Sequence, residues 1–545
     1  MNWAARLALL LLSLGACGAA ERAHPDPAAA AGELLYLRGE LPSGAPLKGM
    51  RAGGAVVEGE QAACANCHRR SGLGSMEGSF AIPPITAHYL YHDRTDTSTG
   101  EHALMYLENA HGDRPPYTDE TLARAIREGL DSEGRALSVL MPRFTLSDAQ
   151  MADLIAYLRE LDRPRVPGVT ATTLHFSTIL TPDTDPVRRR AVVDVLNQYV
   201  ADKNLFPFGP NPSMRTSGKT LYTKSMYVAN RHWQLHVWEL KGPPASWRAQ
   251  LDADLAREPV LAVISGLGGG DWSPVHDFCE QRRVPCLFPN LDAPPVTAGD
   301  FYSVYLSKGV LLEAELISAA IASDPRGSSG KVVRQVYRAG DVGETAAHAL
   351  ASLLEQAGVE VKEKRLGPGA SVAAAIRGGS ADVWVLWLRP VDLAALGEPP
   401  PDPAALYVSG QMGGLEEAPL PAAWRKRARL AYPVDLPDKR VVRVDYPLGW
   451  FKLRQFAVVD PRLQADTYLA CGILSETLKR MSDAIVPEYL VEQLQQTLEH
   501  RILTGYYPRL SLAPGQTVGS KGAYWVRFAD AAGPRVVADS PWITP

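Results

Sequence analysis

Cysteine is scarce in this 545-residue chain, with six residues at positions 17, 64, 67, 279, 286 and 471. Only one pair has Cys-x-x-Cys spacing, which excludes a wire of several such centres and a four-thiolate iron–sulfur or zinc site. An excess of one charge is also missing. The formal net charge is −4, too small and of the wrong sign for a composition-level case for nucleic-acid binding. Low-complexity tracts and clear internal repeats are absent as well. With 46% hydrophobic and 21% charged residues, most of the chain can bury a core. At this length one core rarely suffices, so two or three domains are expected.

The apolar run 7–14, preceded by Arg6, is too short to span a bilayer and reads as a signal peptide. Leu14-Gly15-Ala16-Cys17 resembles the lipobox of bacterial lipoproteins, in which the cysteine is acylated and becomes the first mature residue. That resemblance implies a lipoprotein-type signal over residues 1–17, cleaved just before Cys17, lipidation of Cys17 and a periplasmic protein anchored to a bacterial membrane by lipid alone. Cleavage after Ala20 would instead release it as a soluble protein. Both readings place the chain outside the cytoplasm, where each remaining cysteine requires an explanation.

Cys64-Ala65-Asn66-Cys67-His68 supplies that explanation for two of them. Thiols three positions apart match the two vinyl-derived carbons of haem, and the following imidazole then lies under the iron. A redox pair or half a zinc site is the alternative, but neither a thioredoxin-like context nor a second ligand pair accompanies the motif. The expected cofactor is one covalent haem c, with His68 as proximal iron ligand. Helices are expected over residues 32–41, 101–111, 118–129 and 147–161. The last opens with Ser147 and Gln150 as a capping box, and Met151, Leu154, Ile155 and Leu158 recur on one face.

Leu140-Met141-Pro142-Arg143-Phe144, directly before that capped helix, resembles the distal-ligand loop of class I cytochrome c. The resemblance implies an all-α domain over residues 32–163, with Met141 as the second axial ligand. It also implies that the carbonyl of Pro83 or Pro84, with Pro84 preferred, accepts the proton of the His68 nitrogen not bound to iron. The His68-to-Met141 interval is long for that family, implying an inserted loop around residues 87–116. Within or near it His88, His92, His102, His111, Met76 and Met105 are rival donors. Arg69, Arg70 and Arg143 lie beside these positions, suited either to haem propionates and redox partners or to a solvated rim.

After a Pro- and Gly-punctuated linker, residues 164–171, strands alternate with helices in two blocks up to residue 388, an α/β pattern implying parallel sheets with helices on both faces. Two long helices, residues 461–481 and 487–502, follow. Residues 172–545 resemble the two-lobed type I periplasmic solute-binding proteins, most nearly the branched-chain amino-acid binders of ABC transporters. By that resemblance the ligand loop is Ser265-Gly266-Leu267-Gly268-Gly269-Gly270-Asp271-Trp272. Its glycines would expose backbone N–H groups at a helix start, and Trp272 would stack on a flat ligand. A tight strand-to-helix turn without a ligand is equally consistent with the loop. Cys279 and Cys286 suit either a disulfide or separate thiols, and Cys471 reads as a buried thiol.

The expected molecule is thus an exported electron-transfer protein, not itself a catalyst, exchanging electrons with a periplasmic dehydrogenase or another cytochrome. Its fused domain would hold an unidentified small molecule or dock a partner. A solute receptor or redox sensor modulated by haem is the alternative, and a catalytic subunit the third.

Overall fold

The computed structural model describes residues 26–77, 80–91, 114–161, 166–205, 231–323, 331–401, 403, 405–481 and 484–545. The leader with Cys17 and the expected helix 101–111 lie outside these. The chain divides into two compact units, Met1–Arg163 and Pro164–Pro545.

The first unit is built on helix α1 (Pro27–Arg38), the single turn α2 (Ala65–His68), a short α3 (Ala87–Tyr91), α4 (Asp119–Glu128) and α5 (Asp148–Glu160). Asp26 and a proline at the first position start α1, five residues earlier than the apolar pattern indicated, and left-handed Gly39 stops it. Capping boxes open α4 at Thr118 and α5 at Ser147. Helices α1 and α5 cross at Gly32, where a Cβ would overlap the Asp153 carbonyl. The close approach puts Tyr36 against Tyr157, with ring centroids 5.2 Å apart. These residues share one core with Leu122, Ile126, Leu154 and Leu158.

The expectation of an all-α unit requires correction. Strands β1 (Lys48–Met50), β2 (Val56–Glu58) and β5 (Arg143–Phe144) form a small antiparallel sheet, and β3 (Ser75–Glu77) pairs with β4 (Phe80–Ile82). Strands of two or three residues are too short to leave an alternating pattern.

The second unit holds two sheets. The first contains β6 (Thr173–Leu180), β7 (His232–Glu239), β8 (Ala262–Ile264), β9 (Cys286–Leu287) and β10 (Ser303–Ser307), joined by α6 (Pro186–Asn204), α7 (Trp247–Arg257) and α8 (Ser273–Arg282). After α9 (Val310–Ala322) the second sheet runs through β11 (Val332–Arg338), β12 (Glu360–Leu366), β13 (Val383–Trp387), β14 (Ala405–Ser409) and β15 (Ala428–Tyr432), with α10 (Val342–Gln356) and α11 (Val372–Arg377) between strands. Helices α12 (Pro437–Leu453), α13 (Pro461–Arg480) and α14 (Pro487–Glu499) precede β16 (Val518–Ser520), which returns to the first sheet, and β17 (Tyr524–Phe528) and β18 (Val536–Ala538), which complete the second. Pairing is parallel from β6 through β15 and at β16, and antiparallel at β17 and β18. All-parallel cores are buried on both faces, so β13 (Val-Trp-Val-Leu-Trp) is buried at every position.

Gly32→Val is expected to force α1 and α5 apart, at a cost of about 1–3 kcal/mol or more. Thermal unfolding of the full chain, followed by circular dichroism, checks it. An unchanged midpoint would mean that the crossing does not limit stability.

Candidate functional site

Helix α2 is a single turn in which the N–H groups of Cys67 and His68 donate to the Cys64 carbonyl at 3.2 and 2.9 Å. This turn fixes the offset between the two thiols. Neighbouring groups hold it from several sides: Asn66 Nδ2 donates to the Glu60 carbonyl (2.7 Å), Ser75 Oγ to the Cys67 carbonyl (3.0 Å) and Tyr36 Oη to the Arg69 carbonyl (2.6 Å). Arg69, at φ 65°, ends the helix immediately after His68.

His68 Nδ1 lies 2.9 Å from the Pro83 carbonyl. A carbonyl only accepts, so Nδ1 carries the hydrogen and Nε2 keeps the lone pair of the neutral ring. Burial lowers the imidazole's pKa, with the Pro83 bond opposing it. The acceptor is therefore Pro83 rather than Pro84, whose side chain is buried. Gly74 explains the register: its N–H donates to the His68 carbonyl at 3.1 Å, and a Cβ on it would overlap the Ile82 carbonyl. The 82–83 backbone thus runs directly against the turn after His68. Burial also pushes the Cys64 thiol up to about 12.

Met141 packs, partly buried, on the same apolar cluster as Cys64, Ala65 and Leu161. Its N–H donates to the Ser138 carbonyl at 3.2 Å, and its carbonyl accepts from Arg143 Nη1 at 2.5 Å. Among the rivals, His88 sits in α3 edge-on to Tyr89. His92, His102, Met105, His111 and the side chain of Met76 lie outside the described residues. Two thiols three positions apart, an imidazole with its lone pair on Nε2 and a thioether on the same core form a donor set that fits haem.

Residues 56–162 match the family model described as Cytochrome c. This stretch is a cytochrome c domain. The family implies covalently bound haem c with its iron. No curated protein matches the chain. Among solved structures, the chain is similar to a fatty acid ABC transporter substrate-binding protein from Thermomonospora curvata (16% identity, 70% of this chain and 95% of that one, TM-score 0.49). It is also similar to a branched-chain amino acid transporter substrate-binding protein from Streptococcus pneumoniae in complex with isoleucine (12%, 68% and 100%, TM-score 0.45). A third is an R. palustris solute-binding protein in complex with benzoate (13%, 68% and 98%, TM-score 0.47). In the cytochrome c domain, a groove of about 760 Å³ between α4 and α5 is lined by Asp119, Arg124, Arg127, Asp148, Met151 and Arg159. Neither the attachment residues nor Met141 borders it.

In the second unit, the glycine loop is spent internally. Ser265 Oγ donates to Thr467 Oγ1 (3.1 Å) and accepts from Asn290 Nδ2 (2.9 Å), while the Gly269 N–H donates to Thr181 Oγ1 (3.2 Å). Trp272 is 1% exposed, packed with Val275 and Phe278, and Gly266 and Gly268 lie so close to its ring that a Cβ on either would come within 2.7 Å. The expectation that Trp272 stacks on a ligand is corrected: the glycines make room for the indole. Asp271 accepts from the Ser273 N–H at 2.9 Å and shapes the start of α8. Cys279 and Cys286 are buried free thiols in contact, not a disulfide, and Cys471 is a third buried thiol.

A polar assembly that sequence reasoning missed lies where loops from both sheets meet. Arg389, after β13, donates from Nη2 to Asp292, after β9, at 2.9 Å and to Asp341, after β11, at 2.9 Å. Gln411 adds a 3.3 Å bond to Asp292. Burial alone would raise Asp292, but Arg389 and Gln411 hold it below the usual carboxylate range. Nearby, burial pushes Asp466 up to about 6 and Glu313 up to about 8. Glu313 accepts from the Ser409 hydroxyl and from the Gln411 N–H. His276, Glu280 and Asp300 also converge, but Glu280 accepts the Phe301 and Ser303 N–H groups and His276 is held between Tyr305 and Asp300. Those bonds give the trio a structural role.

A raised carboxyl pKa means that the folded state binds the Glu313 proton more tightly than the unfolded chain. Stability from this group is complete below about pH 4.5 and is lost as pH rises through about 8. Glu313→Gln is expected to remove that decline and raise the unfolding midpoint at pH 8–9 relative to the parent. Denaturant unfolding between pH 5 and 9 checks it, and parallel curves for the two proteins would contradict a buried, protonated Glu313.

Proposed function

We propose that the protein is an exported c-type cytochrome that carries single electrons through one haem, with a fused unit that binds a small molecule or docks a redox partner. The observation that carries this reading is the His68–Pro83 bond beside the Cys64–Cys67 turn, which presets the tautomer that a proximal iron ligand needs. When bound, haem c supplies one-electron chemistry at its iron. Cys64 and Cys67 would hold it covalently, His68 and Met141 would bind its iron, and the core around Leu35, Leu122 and Leu158 would exclude water. A neutral thioether on the distal side favours a higher potential than a second imidazole, suiting an acceptor of electrons from a periplasmic dehydrogenase. Iron held by both His68 and Met141 would favour electron transfer over substrate chemistry at the metal.

For residues 172–545 we read a two-lobed solute-binding fold, the Asp292–Arg389–Asp341 assembly lying between its lobes. Internal use of Ser265 and the Gly269 N–H leaves fewer groups for an amino-acid ligand than the resemblance implied, which favours a different solute or partner docking. A receptor or redox sensor is the second reading, since the Arg389 bridge between two sheet edges is the kind of contact a ligand would rearrange. Export, lipidation at Cys17 and attachment to the membrane by that lipid complete the proposal.

Met141→Ala is expected to abolish the weak methionine-to-iron charge-transfer absorption of the ferric protein and to lower its reduction potential. A parent lacking that absorption, or a variant retaining it, would sink the His68/Met141 assignment. For the larger unit, thermal-shift screening of amino acids, alcohols, aldehydes and quinone-like cofactors is expected to give at least one stabilising ligand if it captures a solute. No shift with any of them would favour docking.

A further inference from the structure

We infer that Arg143 is a positioning residue for the distal iron ligand, and that Gly129 lacks a side chain in order to admit it. The inference rests on Met141 being that ligand. The loop carrying Met141 begins at the end of α4, where Gly129 takes the left-handed conformation at φ 75°. The loop is closed once by the Leu137 N–H donating to the Gly129 carbonyl at 2.8 Å. Before that closure, Asp131 ties the excursion together by accepting the Glu133 and Arg135 N–H groups, both at 2.9 Å. From Ser138 onward the bonds among the described residues are local, the Leu140 N–H donating to Ser138 Oγ at 3.2 Å. Val139 and Leu140 are 65% and 54% exposed, and the backbone bond at Met141 is the 3.2 Å turn to Ser138.

Arg143 supplies the missing restraint. Its own backbone is fixed in β5, where it lies opposite Met50 of β1. Its side chain then turns back, with Nη1 donating to the Met141 carbonyl and the guanidinium lying against Gly129 so closely that a Cβ there would overlap it. Gly129 is thus required twice, for its positive φ and for the space above it. The planar fork spans α4's last turn and the ligand's own peptide, and a bond from a charged donor to a carbonyl is among the stronger single hydrogen bonds. With the carbonyl fixed, the Met141 side chain starts from one backbone position, so less ordering is needed for its sulfur to reach the metal. Sequence reading had assigned Arg143 to haem propionates or a solvated rim, and the carbonyl contact gives it an inward role.

Imidazole titration of the ferric, haem-loaded protein tests this, because imidazole must displace whatever holds the distal position. Arg143→Leu is expected to raise the apparent imidazole affinity about tenfold, the factor expected for loss of one charge-assisted bond of roughly 1.4 kcal/mol. Arg143→Lys should fall between Leu and the parent, and Met141→Ala should bind imidazole more tightly than any of them. If Met141→Ala and the parent bind equally, the Met141 assignment fails and this inference with it. If Met141→Ala binds more tightly while Arg143→Leu and Arg143→Lys both match the parent, the assignment stands and the positioning role is overturned. Should Arg143→Leu fail to accumulate as a haem protein, the Lys variant alone decides. A general loss of stability would lower the unfolding midpoint without changing imidazole affinity.

Discussion

One hydrogen bond, from His68 Nδ1 to the Pro83 carbonyl, governs the chemistry of the first unit. An imidazole can present a lone pair from either nitrogen, and in water the two tautomers exchange freely. Fixing the proton on Nδ1 leaves a single nitrogen able to bind a metal and sets the plane of the ring. The rest of the local structure keeps that carbonyl in place. Gly74 permits the backbone of residues 82–83 to pass within contact of the turn, Ser75 and Tyr36 satisfy the carbonyls of Cys67 and Arg69, and burial keeps the ring neutral. Removing any of these would release a degree of freedom that the others cannot recover alone.

A different constraint organises the second unit. Parallel strands end with their C-terminal loops gathered at one edge, and those loops carry polar groups that a buried edge must satisfy. At β8 the demand is met by packing, with glycines laid over Trp272 and Ser265 bonded to Asn290 and Thr467. At β9, β11 and β13 it is met by charge, with Arg389 shared between Asp292 and Asp341. A guanidinium that serves two carboxylates from different sheets couples the positions of those sheets. Any solute entering there must replace bonds already made, which raises the selectivity of the site and lowers its intrinsic affinity.

Much of this was legible in the sequence. The attachment motif, the capping boxes at Ser147 and the end of α4 at Gly129 depend on residues a few positions apart, and local chemistry fixes them. The strand and helix alternation from Thr173 to Trp387 was readable because β6, β7, β11 and the helices between strands are long enough to show their periods, and the short β8 and β9 lie in continuous apolar runs. The short strands of the first unit left no pattern. Nor could spacing distinguish Pro83 from Pro84, because the choice depends on how closely Gly74 lets a distant segment approach. The role of Trp272 was misread because a glycine run beside an aromatic ring looks the same whether the ring meets a ligand or the glycines themselves. The Arg389 assembly joins residues as far apart as 292 and 411, and no local signal marks it.

Two arginines whose contacts the sequence did not reveal share a physical feature. Arg389 follows the buried strand β13, whereas Arg143 opens β5 after the exposed Val139 and Leu140. In the fold each turns inward, one to a carbonyl and one to a pair of carboxylates, because a planar group with five donors can satisfy several acceptors that folding would otherwise leave without water. Lysine, with three donors on a compact, strongly hydrated charge, lacks that planar fork and would give up more hydration. An arginine beside a strand is therefore as much evidence of an unsatisfied acceptor nearby as of a surface. In this chain the acceptors so marked are the peptide of the proposed distal ligand and the carboxylates where the two sheets meet.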